Sequence, residues 1–225
     1  MTMDWSPILI SMRTAGLSIV FTFFMGILAA WMVVRISHPL VKTILDGIFT
    51  IPLVLPPTVA GFFLLYVFGV KRPVGQFFLE YFSVKIAFSW GATVLAAVVM
   101  SFPLMYRSAR GAFEQVDDTL VQAARTLGMG EWTIFRKVLL SNAVPGVVSG
   151  GVLAFARGLG EFGATAMIAG NIAGKTRTLP MAVYSEAAAG NMEAAYSYVA
   201  IIVVIAFLSV FLMNGAMWYS QKKSR

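Results

Sequence analysis

Five stretches of this chain run for about 20 residues each, enough for a helix to cross roughly 30 Å of bilayer hydrocarbon, without an Asp, Glu, Lys or Arg. They are Ala15–Val34, Gly47–Val70, Ile86–Tyr106, Val138–Ala156 and Ala194–Ser220. Helices are the expected form, because a spanning segment in lipid has no water for its backbone and must satisfy its own N–H and C=O groups. Pro52, Pro56 and Pro57 interrupt the entry of the second run, so its continuous helix is expected to start near Pro57. Gly158–Gly174 is apolar, glycine-rich and contains Glu161. It reads as a kinked continuation of the fourth helix or a re-entrant segment, with a short sixth span as the alternative. The expected fold is therefore an all-α polytopic membrane protein of five spans, or six, in one domain over residues 1–225 with a core of about residues 11–218.

Composition agrees. Of the 225 residues 59% are hydrophobic and 12% charged, with a mean hydropathy of +0.81; a soluble domain carries about 25% charged residues. The partner this surface requires is membrane lipid. A net charge of +7 admits nucleic-acid binding in principle, but the cations sit in short loops between apolar runs, the pattern that sets membrane topology. With the N-terminus outside, Arg35, Lys42, Arg107, Arg110, Arg125, Arg136, Lys137 and the C-terminal Lys222, Lys223 and Arg225 fall inside. Arg13, Lys71, Arg72, Lys85, Arg157, Lys175 and Arg177 fall outside. The C-terminus is thus expected in the cytoplasm, and no cleavable leader is read at Met1–Arg13.

Catalytic and metal chemistry find few groups to work with. The chain has no cysteine and one histidine, His38, which precedes Pro39 in a loop. No Ser-His-Asp set or ligand cluster stands out, so neither enzyme activity nor a cofactor is expected. Ala169–Thr176 comes near a phosphate-binding loop but has Ala169 where that pattern needs glycine.

The loop Arg107–Lys137 is the most polar stretch. Asp117-Asp118-Thr119 offers an N-cap, Leu120, Ala123, Ala124 and Leu127 share one helical face, and Gly128 fits the C-terminal cap. That small-residue face could dock another protein or lie on its own bundle. Gly146, Gly150, Ala154 and Gly158 form a stripe at four-residue spacing, equally readable as internal packing or a subunit contact. Glu161, within an apolar segment, has Arg157 one turn before it as a possible ion-pair partner; Thr165 and Asn171 could add polar lining.

The run Gln122-Ala123-Ala124, three residues, Gly128, nine residues, Val138-Leu139-Leu140-Ser141 resembles the "EAA" loop of ABC-importer permeases. It departs from that pattern at Gln122 for Glu, Val138 for Ile and Ser141 for Pro. Ile51–Gly61, Ser101–Leu104 and Ala154–Ala164 are similar to the molybdate-type permeases, with sulfate permeases as the alternative subfamily. The resemblance implies a type I importer permease fold. It also implies a homodimer in the bacterial inner membrane, two cytoplasmic ABC ATPases docked on Leu120, Gln122, Ala123, Ala124, Leu127 and Gly128, and an extracytoplasmic substrate-binding protein. Glu161, Arg157, Thr165 and Asn171 are the pathway candidates. An ion channel would show filter rings and no docking helix; a secondary transporter would show inverted repeats and more intramembrane acids.

Overall fold

A computed structural model describes residues 4–223; residues 1–3 and 224–225, including the Arg225 assigned above to the inner basic set, lie outside it. The elements described are helical. In order they are α1 (Ser6–Val34), α2 (Pro39–Val54), α3 (Pro57–Phe68), α4 (Pro73–Phe82), α5 (Trp90–Glu114), α6 (Asp118–Thr126), α7 (Glu131–Ile134), a π-helical turn (Phe135–Leu139), α8 (Leu140–Leu159), α9 (Gly163–Ile168), α10 (Leu179–Ala188) and α11 (Met192–Lys223).

α1, α5 and α8 (Leu140–Leu159) form the centre. Ala30, Val33, Met105, Tyr106, Ala109, Phe113, Phe135, Ala143, Val147 and Ala154 are buried there in one cluster. Small residues set how closely these helices pack. Gly146 and Gly150 of the α8 stripe press on Ala112 and Ser108 of α5, and Gly158 faces Ser18 and Ala97, so this stripe is spent on internal packing. A hydroxyl seam joins α1 to α5: Thr14 and Thr93 share a hydrogen bond of 2.8 Å, Thr22 and Ser101 one of 3.0 Å, and Trp90 Nε1 donates to Thr14 Oγ1 at 3.1 Å. Buried from water and lipid alike, such bonds contribute about 0.6 kcal/mol each, up to about 2.

Among the described residues four helical stretches are long and apolar enough to span: Ser6–Val34, Trp90–Glu114, Glu131–Leu159 and Met192–Leu212. The fifth region is broken. α2 and α3 meet at 110° across Leu55-Pro56, because neither Pro56 nor Pro57 can donate an amide to a continuing helix. The helix does resume at Pro57 as expected, but the segment before it is already helical from Pro39, through Lys42, Asp46 and Pro52. Gly158–Gly174 is not a sixth span. α8 stops at Leu159, and α9 has only six residues, about 9 Å of helix. The apolar side chains left exposed, such as Phe24 and Leu28 on α1 and Val203, Phe207 and Phe211 on α11, form the surface that lipid would cover.

Candidate coupling and pathway elements

Two local structures position the residues singled out above. The first is α6. Asp117 caps its start, its Oδ1 accepting from the Thr119 amide at 2.9 Å, and this bond holds the carboxyl below the usual carboxylate range. At the other end Gly128 takes φ +73°, a conformation that costs a residue with a Cβ about 1–2 kcal/mol. There the Met129 amide donates to the Ala124 carbonyl and the Gly128 amide to that of Arg125, closing a Schellman motif.

The helix is tied to the bundle rather than hung from it. Arg125 Nε donates to Glu131 Oε1 at 2.9 Å, and Arg35 at the end of α1 reaches Glu131 Oε2 at 3.3 Å. The hydrogen bond from Arg125 holds the Glu131 carboxyl below its ordinary value. Beneath lies an aromatic stack in which Phe135 meets Trp31 at 4.7 Å, Trp132 at 5.2 Å and Phe113 at 6.0 Å between ring centroids.

The expected docking face is split. Ala124 is buried and Val121 packs on the core, whereas Leu120, Ala123 and Leu127 are exposed, Leu127 to 81%. Helical geometry puts Ala124 and Val121 on adjoining strips, so core packing claims that edge and leaves the Leu120–Ala123–Leu127 strip outside. Gln122 is exposed too, and its backbone carbonyl accepts from Thr126 Oγ1.

The second structure is the break after α8. Glu161 is 2% exposed, and its Oε1 accepts from the Ala164 amide at 2.7 Å at the start of α9. Arg157 Nη1 lies 2.7 Å from Oε2, in an ion pair without hydrogen-bond alignment. The break touches the α2–α3 corner: a Cβ on Gly163 would sit 2.8 Å from Pro57 Cβ, and one on Gly61 2.6 Å from Ala164 Cα. Two interrupted helices are therefore packed backbone to backbone. Thr165 is buried on α9. Asn171 stands apart in the following exposed loop, accepting from Arg177 Nε at 2.8 Å and donating to Ser185 Oγ at 2.7 Å. In that same loop the amides of Lys175, Thr176 and Arg177 all donate to the Ile172 carbonyl, so they are turned away from any phosphate.

One cluster escaped the sequence reading. Tyr106 donates to Asp46 Oδ1 at 2.9 Å, Arg110 pairs with Asp46 and with Glu114 Oε1 at 3.0 Å, and Lys42 reaches Glu114 at 2.9 Å. It clamps α2 to α5. The available signal was a matched acid and base, Asp46 and Arg110, each at the edge of an apolar run.

A bundle of membrane-length apolar helices, with one further span broken at Leu55-Pro56, defines a class: a polytopic helical membrane protein. The chain belongs to the family of binding-protein-dependent transport system inner membrane components, whose model matches residues 22–225. It is similar to the molybdenum transport system permease protein ModB of Escherichia coli (strain K12), 47% identical over 182 residues that cover 81% of this chain and 79% of that one. It is also similar to the sulfate transport system permease protein CysT of Salmonella typhimurium, 33% identical over 205 residues, 91% of this chain and 73% of that one. Its fold matches a chain of the MetNI methionine ABC transporter in inward facing conformations, with a TM-score of 0.73 at 18% identity over 95% of this chain and 94% of the other.

Proposed function

We propose that this chain is the permease subunit of an ATP-driven importer that moves molybdate, with tungstate as a close mimic, across the bacterial plasma membrane. The observation that carries the cargo is the 47% identity to a molybdenum permease over four-fifths of the chain, against 33% to a sulfate permease.

In this reading the chain works as a homodimer with its C-terminus in the cytoplasm. Two cytoplasmic ATPases supply the hydrolysis, and an extracytoplasmic binding protein delivers the oxyanion. Each ATPase seats on the exposed strip Leu120, Ala123 and Leu127, with Gln122 beside it, while Ala124 and Gly128 fix the helix in place. Movement of α6 reaches the membrane along two stiff routes: the Arg125–Glu131–Arg35 link to α1, and the continuous helix from Glu131 to Leu159. The second route ends at Arg157 and Glu161, where a tilt of α8 shifts α9 against α3. Alternating access needs such an element with two arrangements. Thr165 moves with it, and Asn171 follows in the loop beyond α9.

Deleting the gene tests the cargo. Molybdenum-dependent enzyme activity is expected to disappear at low molybdate and return with excess. A strain that instead required cysteine or thiosulfate would assign the cargo as sulfate.

A further inference from the structure

α4 joins α3 to α5 on the membrane face opposite α6, since α5 crosses between the two. Its ten residues divide cleanly. Val74, Phe77, Phe78, Tyr81 and Phe82 lie along one broad arc, and Gln76 and Glu80 lie on the other side. Most of the aromatic arc is open: Phe77 is 49% exposed, Tyr81 74% and Phe82 61%, while Phe78 is half-buried. At its start Gly75 packs on the Gly69 carbonyl so closely that a Cβ there would come within 2.1 Å.

At its foot lies a cleft of about 330 Å³ whose lining includes Phe62, Leu65, Tyr66, Val70 and Phe88, with Lys71 and Arg72 at the rim. The Arg72 guanidinium rests 4.0 Å from the Tyr66 ring centroid. Neither Lys71 nor Arg72 forms an ion pair among the described residues. An apolar floor, two cations at its edge and an adjoining aromatic helix match the parts of a phospholipid in order: acyl chain, phosphate and interfacial zone.

We propose that α4 and this cleft form a binding site for an anionic phospholipid. The aromatic arc lies at the headgroup boundary, an acyl chain enters the cleft, and Lys71 and Arg72 hold the phosphate. Charge complementarity favours lipid as the occupant, because the cleft sets Lys71 and Arg72 beside an apolar floor that Phe62, Phe63 and Tyr66 of α3 extend as exposed apolar surface. The proposal depends on the chain spanning a membrane and not on its cargo.

The natural absence of cysteine makes single-cysteine labels clean reporters. The assembled full-length transporter is placed in nanodiscs of phosphatidylglycerol or phosphatidylcholine. Spin labels at Phe77 and Tyr81 are expected to meet oxygen more than a water-soluble nickel chelate, and labels at Gln76 and Glu80 the reverse. Equal nickel access on both faces, or labels at Phe77 and Tyr81 shielded from oxygen and nickel alike as in a contact with a second copy, would overturn the interfacial placement. A fluorophore on Val70→Cys is expected to be quenched by brominated phosphatidylglycerol at a severalfold lower mole fraction than by brominated phosphatidylcholine. Lys71→Gln with Arg72→Gln is expected to abolish that preference, while the Phe77 label confirms that the variant keeps its fold. No preference in the parent, or displacement of the lipid by millimolar inorganic phosphate, would overturn the lipid site. An assembly that shows this pattern yet moves no molybdate would refute the cargo reading and leave this one standing.

Discussion

Arg157 Nη1 and Glu161 Oε2 stand 2.7 Å apart across the end of α8, and the other Glu161 oxygen holds the first turn of α9. One carboxylate thus ties together both sides of a helix break. Glu161→Gln keeps an acceptor for Ala164 but strands the Arg157 charge. Breaking a buried pair costs about 3–5 kcal/mol, and because Arg157 is 28% exposed the low end is expected here. Folded yield and melting temperature should fall, and exchanging the two residues should restore them in part. Unchanged yield and unchanged transport would remove Glu161 from the site.

The split face of α6 separates two substitutions that look alike in sequence. Ala124→Asp buries an unpaired charge and should lower the melting temperature of the chain itself. Ala123→Asp should leave folding intact and release the ATPase, read as the subunit ratio on co-purification. If both variants keep the ATPase, the strip is not the seat.

Gly128→Val probes the cap without a clash, since nothing lies within 4 Å of an added Cβ. The cost should be the backbone term alone, about 1–2 kcal/mol. Hydrogen exchange at the Met129 amide should accelerate by roughly tenfold for each 1.4 kcal/mol, and exchange in α8 should not change.

Acid should loosen α6 from the bundle. The Glu131 carboxyl is held below its ordinary value, so its contribution is present above the unfolded value of about 4.3 and is lost as pH falls through the lower folded value. Hydrogen exchange in α6 should rise below that value in the parent. In Glu131→Gln it should already be fast at neutral pH.

The sequence carried the features that local rules determine. Charge-free length marked the spans, and Asp117 and Gly128 marked both ends of α6 because capping is a matter of a few neighbouring residues. The rest depended on distant partners. α2 starts well before Gly47, with Lys42 and Asp46 neutralised by Glu114 and Arg110, each more than 60 residues away in the chain. The strip of α6 that faces outward was decided by Val121 meeting the core. α10 is anchored by the Leu179 amide donating to Ser11 Oγ, a contact with no local signature. Thr14, Ser18 and Thr22 recur at helical spacing, and that pattern was a readable sign of the α1–α5 seam.

The central claim is tested most directly by uptake of radiolabelled molybdate into proteoliposomes containing this chain, its ATPase and its binding protein. Uptake should require ATP inside or outside according to the ATPase's side, and should be competed by tungstate far better than by sulfate. Uptake without ATP, or sulfate carried in preference to molybdate, would contradict it.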